Sequence, residues 1–187
     1  ATTAGMNLFW LLAACALCAR IAREQGVGPR AAWLAAAIFA SVPLVSQLSG
    51  NLQVESASPA ILAALYLAVL RVREPGALVV VAALAGLLMG SKASNALLAL
   101  PVAAWMAWRL RGGWPGVRAW LVAIAIGLFV GGSSYFWGML LAGNPVLPLF
   151  NGIFQSPFFQ PENWHDASWQ LAWGADLPWA LVFDTGR

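Results

Sequence analysis

The chain has 187 residues, of which 61% are hydrophobic and 9% charged, with a formal net charge of +3 and a mean hydropathy of +0.75. Soluble domains carry roughly a quarter of their residues as charges, so this composition excludes an ordinary water-soluble globule and points to a membrane protein. The small positive charge does not indicate nucleic acid, because the basic residues sit between apolar runs, where they report membrane topology.

The chain opens "ATTAGMNLFWLL", without an initiating Met, a basic leader or a small-residue cleavage pattern. This predicts a membrane helix entered near its start rather than a signal peptide. With the abrupt end at "FDTGR", it suggests a fragment of a longer protein. Six apolar runs follow, at about 3–20, 31–48, 58–72, 76–90, 93–108 and 118–141. The first, second and sixth are long enough to cross roughly 30 Å of hydrocarbon at about 1.5 Å per residue. The other three are shorter and span only if their flanks count or the bilayer thins. Pairing 76–108 into one re-entrant hairpin is the alternative to two crossings. The fold class is thus all-α, a polytopic membrane bundle of about six helices. Residues 1–142 form the bundle and 143–187 an irregular outward segment. Cys15 and Cys18 are one helical turn apart, but no further ligands lie nearby, so packing fits them better than a metal or redox site.

Charge assigns the sides. Arg20, Arg23, Arg30, Arg71, Arg73, Arg109, Arg111 and Arg118, eight of the ten basic residues, fall in alternate connections. Five of the seven acids, Glu55, Glu162, Asp166, Asp176 and Asp184, fall in the other connections and the tail. By the positive-inside bias, the arginine connections face the cytoplasm and 143–187 faces outward. Trp105, Trp108, Trp114 and Trp120 gather near the fifth connection, and Trp137, Trp164, Trp169 and Trp173 at the other end. Both groups fit interfacial belts. Small residues, as in "LAGLLMG", predict close helix packing.

The polar residues on the outward side are the functional candidates. Glu55 is the only acid of the second connection, and an ionisable group at a membrane helix end is costly unless it faces water or a partner. Its bland alternative is a hydrated loop residue at the start of the next helix. Lys92, in "MGSKASN", runs against the topology bias. It suits a phosphate-bearing partner, with interfacial snorkelling as the alternative. His165 and Asp166, with Glu162, could build a general base or part of a metal site, although a solvated loop explains them too and no metal-ligand signature is present. In "GNPVLPLFNGIFQSPFFQ", Gly143 and Asn144 end the sixth helix, Pro145 blocks its continuation, and the phenylalanines supply an apolar side for the interface.

"LAGLLMGSKASNALLALPV" resembles the helix–Lys–helix element, with a second helix ending in Pro, of the GT-C superfamily of lipid-phosphate-dependent glycosyltransferases. That group includes the protein O-mannosyltransferases and the bacterial enzymes that modify lipid A or surface glycans. "GNPVLPLFNGIFQSPFF" is similar to the Gly-Asn-Pro…Pro…Asn…Phe-x-Ser-Pro stretch of bacterial members. The resemblance implies transfer of a sugar from a polyprenyl-phosphate donor to a glycan, lipid or protein acceptor, at the outer face of a bacterial inner membrane and without nucleic acid. It implies that Lys92 holds the donor phosphate. Glu55, where relatives carry an outward acid that is usually Asp, would orient substrate or a divalent cation. Asn144, Asn151 and Ser156 would be hydrogen-bonding groups in a wall of the lipid-linked sugar site, with His165 and Asp166 nearby. The main catalytic acid of the family lies in the first outward loop, which is expected upstream of this chain. A transporter or flippase, or a non-catalytic scaffold, is the rival reading. The clustering of charges at helix ends rather than mid-helix argues against transport.

Overall fold

The structure is a computed structural model and describes residues 2–43, 45, 56–74 and 76–163. Among these it is entirely helical: α1 (Thr2–Glu24), α2 (Pro29–Ser41), α3 (Ser58–Leu70), α4 (Ala77–Ser91), α5 (Asn95–Leu110), α6 (Val117–Ala142) and the single turn α7 (Asn151–Phe154). The chain divides into two units, Ala1–Trp137 and Gly138–Arg187.

Each apolar run nucleates a helix, but the end of the second differs from the sequence reading. The second run was expected to reach residue 48, yet α2 stops at Ser41 and Val42 is already extended. Val42 precedes Pro43, and a residue before proline is pushed out of the helical region by the pyrrolidine ring. The fifth run, read as 93–108, forms a helix that passes through Pro101 to Leu110, whereas the second helix of the resembled element ends at its proline. One lost N–H is tolerated there, within a run of strong helix formers that is packed on two neighbours. Residues 76–108 form two helices joined by a short turn around Lys92 to Ser94.

At about 1.5 Å per residue, α1 and α6 are roughly 35 and 39 Å long and exceed the hydrocarbon thickness of a bilayer. The most apolar window of α6 is only 11% buried and that of α1 17%. A core helix of a soluble protein would be mostly covered. Here Leu121, Leu128, Phe129, Phe136 and Leu141 are exposed on α6, and an apolar surface of that extent belongs in lipid or against another apolar surface. Two helices therefore satisfy the length for a crossing by themselves. The shorter apolar helices α3 and α4 are 13 and 15 residues long.

The first unit is organised around α3, which packs on α1, α4 and α5. Ile61, Leu65 and Val69 recur at the i, i+4 spacing of one helical face, and they meet Leu78, Val81, Leu88, Leu110 and Ala123 in the core. The α1–α2 contact is built on small residues, Ala19, Ala32 and Ala36, with Cys15 and Cys18 packed beside them. The Cys15 thiol points at the Ala36 carbonyl, 3.9 Å away, so both cysteines serve as small packing groups.

The glycines of "LAGLLMG" explain how α4 and α6 approach. Gly86 and Gly90 face Gly127 and Gly131, so a G-x-x-x-G pair on one helix meets another on its parallel neighbour. A methyl group built on Gly90 would lie 2.7 Å from the Gly131 carbonyl oxygen, closer than van der Waals contact allows. The Ser134 hydroxyl donates to the Gly90 carbonyl at 2.8 Å, and the Tyr135 hydroxyl donates to that of Met89.

Candidate functional site

Paired contacts fix which helix ends lie together. Asn7 of α1 meets Ser56, just before α3, while Glu24 at the far end of α1 meets Arg71, just after α3. Ser58 meets Asn95 of α5, and the Leu70 carbonyl meets Arg109 at the other end of the same two helices. Helices α1, α3 and α5 therefore run parallel, and the short connections reverse α2 and α4 between them.

One end of the first unit is an arginine end. The Glu24 carboxylate takes Arg20 at 2.6 Å and Arg71 at 3.6 Å. Arg73 donates twice to the Arg109 carbonyl, at 3.1 and 2.7 Å, and Arg109 donates to that of Leu70. These guanidinium groups satisfy the orphan carbonyls at the C-termini of α3 and α5 and complement the negative ends of the helix dipoles. Aromatic rings back them. Trp105 stacks on Tyr66 with centroids 4.5 Å apart, and Arg111 lies over Trp108 at 4.6 Å. The four tryptophans expected near the fifth connection all make ring contacts here, Trp114 and Trp120 with each other at 6.0 Å. Trp164, Trp169 and Trp173 of the other group lie outside the described residues.

The opposite end carries Lys92, the sole basic residue at that end among the described residues. It caps α4 in an extended conformation, its side chain is exposed, and its carbonyl accepts the Asn95 N–H at 3.0 Å. Beneath it is a buried polar cluster that the sequence reading missed. The Asn95 amide nitrogen lies 3.0 Å from the Ser58 hydroxyl, 3.1 Å from that of Ser91 and 3.1 Å from the Leu88 carbonyl. Ser91 in turn donates to Leu88 at 2.7 Å. Close by, the Ser56 hydroxyl donates to the Asn7 side-chain oxygen at 3.0 Å. Buried amides and hydroxyls need partners, and here they find them across three helices, which holds the turn that presents Lys92. The available signal was Asn7, a lone amide in an apolar helix, and the polar sequence around Lys92. Glu55, His165 and Asp166 lie outside the described residues.

In the second unit the loop after α6 is built inside out. Gly143 takes a left-handed conformation (φ 67°) and bonds back to Met139 at 2.9 Å, ending the helix as expected. Asn144 and Asn151 are completely buried and Ser156 nearly so. The Asn144 amide donates to the Leu149 carbonyl at 3.0 Å and to the Asn151 oxygen at 3.2 Å, and its own oxygen accepts the Val146 N–H. Asn151 reaches the carbonyls of Ser156, Phe159 and Gln160 at 3.1, 3.1 and 2.8 Å and accepts the Ser156 N–H at 2.9 Å. The structure brings these three predicted residues together, as the internal pegs of the loop. Phe150, Ile153 and Phe158 face outward instead.

Among the described residues, an all-helical bundle with apolar outer surfaces and charged ends has the pattern of a helical membrane protein. Residues 5–137 match the family model of dolichyl-phosphate-mannose-protein mannosyltransferases, and the chain belongs to that family. Membership makes it a membrane glycosyltransferase, in line with the GT-C resemblance of its helix–Lys–helix element. No curated protein and no solved structure matches the chain.

Proposed function

We propose that the chain contributes to transfer of a sugar from a polyprenyl-phosphate donor to an acceptor at the outer face of a bacterial inner membrane, with helices α1 to α6 all crossing the bilayer. The observation that carries the reading is the position of Lys92, held at the end opposite the described arginines by the Asn95–Ser58–Ser91 cluster. Positive charge at the outer end runs against the positive-inside bias and is retained where it meets an anion. Lys92 is the donor-phosphate ligand, an ammonium that neutralises charge on the leaving phosphate as the bond from the sugar to that phosphate breaks. Glu55, the residue before Ser56 in the sequence, orients substrate or a cation in this reading. Asn144, Asn151 and Ser156 act through the shape of their loop, since their hydrogen-bonding capacity is used within it.

The test is binding of polyprenyl phosphate to the full-length protein. A charge-assisted hydrogen bond contributes about 1.5–3 kcal/mol, so Lys92→Ala should raise Kd roughly 10- to 150-fold. Lys92→Arg should recover part of the loss. Unchanged affinity in a folded Lys92→Ala variant would remove Lys92 from the site.

A further inference from the structure

A cleft of about 670 Å³ lies between α1, α3 and α4 at the arginine end, away from the Lys92 turn. Its volume is in the range of small-molecule sites. Its lining changes character along the helix axes. Arg20, Glu24, Arg71 and Glu74 form the rim, while Leu17, Ala64, Leu67 and Leu84 line the depth. Leu17 on α1 and Ala64 and Leu67 on α3 lie nearer the middle of the bundle than Arg20, Glu24 and Arg71, and Leu84 of α4 lies deeper than Glu74, which precedes that helix. That order matches a lipid standing in its own leaflet, with headgroup at the interface and acyl chain inward. A water-soluble ligand would leave the apolar depth unused.

The rim chemistry narrows the headgroup. Arg20 and Arg71 share one oxygen of Glu24, at 2.6 and 3.6 Å, so the longer contact leaves Arg71 donors available to a phosphate. Two guanidinium groups and two carboxylates balance, which disfavours a headgroup that brings only negative charge. We infer that this cleft binds a glycerophospholipid carrying both a phosphate and an ammonium group, with the phosphate on Arg20 and Arg71 and the ammonium on Glu74. Basic pockets between membrane helices are established sites of headgroup recognition. The added carboxylates set the preference of this one.

Native mass spectrometry of the delipidated full-length protein, with equal amounts of phosphatidylethanolamine and phosphatidylglycerol, tests the assignment. Phosphatidylethanolamine should be retained several-fold over phosphatidylglycerol. Retention should fall at least about five-fold in the Arg20→Ala, Arg71→Ala double variant and in Leu67→Trp, which fills the depth. Arg118→Ala, outside the cleft, should leave it unchanged, and Glu74→Gln should shift preference toward phosphatidylglycerol. Equal retention of the two lipids would overturn the inference, as would retention unaffected by both the arginine and the Leu67 variants. Displacement by millimolar inorganic phosphate would overturn the lipid assignment. Because the cleft and Lys92 occupy opposite ends, loss of lipid here with donor binding intact, or the reverse, tells this reading from the catalytic one.

Discussion

The glycine seam between α4 and α6 offers a sharp structural test, because Gly90 on α4 and Gly132 on α6 predict opposite results. Gly90→Ala places a methyl carbon 2.7 Å from the Gly131 oxygen and 2.9 Å from its Cα. Ordinary contact begins near 3.4 Å, so the seam is about 0.7 Å too tight. Both opposing atoms are backbone, and no side chain can rotate away. The helices must separate, which also stretches the Ser134 bond to the Gly90 carbonyl. Overpacking of this kind costs about 1–3 kcal/mol. Gly132→Ala is the matched control. It sits on α6 beside Gly131, with nothing within 4 Å of the added carbon. There the replacement is neutral, or stabilising by up to about 1 kcal/mol through helix propensity. Thermal denaturation of the full-length protein in mild detergent, followed by size exclusion, measures both. Equal loss in the two variants, or no loss in Gly90→Ala, would refute the close parallel contact.

Asn151→Ala strips partners from the carbonyls of Ser156, Phe159 and Gln160; the buried bond to Ser156 is the costly one, at about 1–3 kcal/mol for the stranded carbonyl. Limited proteolysis should cut the 143–160 loop faster in that variant, and unchanged cleavage would mean the peg is dispensable. Single cysteines at Lys92 and Arg73, in a background with Cys15 and Cys18 replaced by Ala, should label from opposite sides of sealed vesicles with a membrane-impermeant maleimide. Labelling from one side would contradict the alternating topology.

Much of the bundle was legible because apolar runs and arginine placement are local signals. Gly143 before Asn144 and Pro145 marked the end of α6 for the same reason. The end of α2 was missed because the apolar run continues past Pro43, whose steric effect on Val42 outweighs hydrophobicity. The fifth run was read to residue 108 despite Pro101, and packing carries α5 through it to Leu110. Pairings between distant residues were beyond the sequence. That Gly86 faces Gly127, or that Asn95 reaches Ser58, depends on the register of one helix against another. Asn144, Asn151 and Ser156 were recognised as residues that belong together. Their burial was not legible, because an amide in an aromatic loop reads equally as a ligand contact or as a peg.

The most direct measurement of the central claim is sugar transfer by the full-length protein in proteoliposomes supplied with radiolabelled polyprenyl-phosphate mannose and a mixed acceptor extract. The account predicts labelled acceptor from the native protein, and a loss of at least about ten-fold in Lys92→Ala, in line with one charge-assisted contact to the phosphate. Absence of transfer from every polyprenyl-phosphate sugar tried, or equal turnover by a folded Lys92→Ala protein, would contradict it.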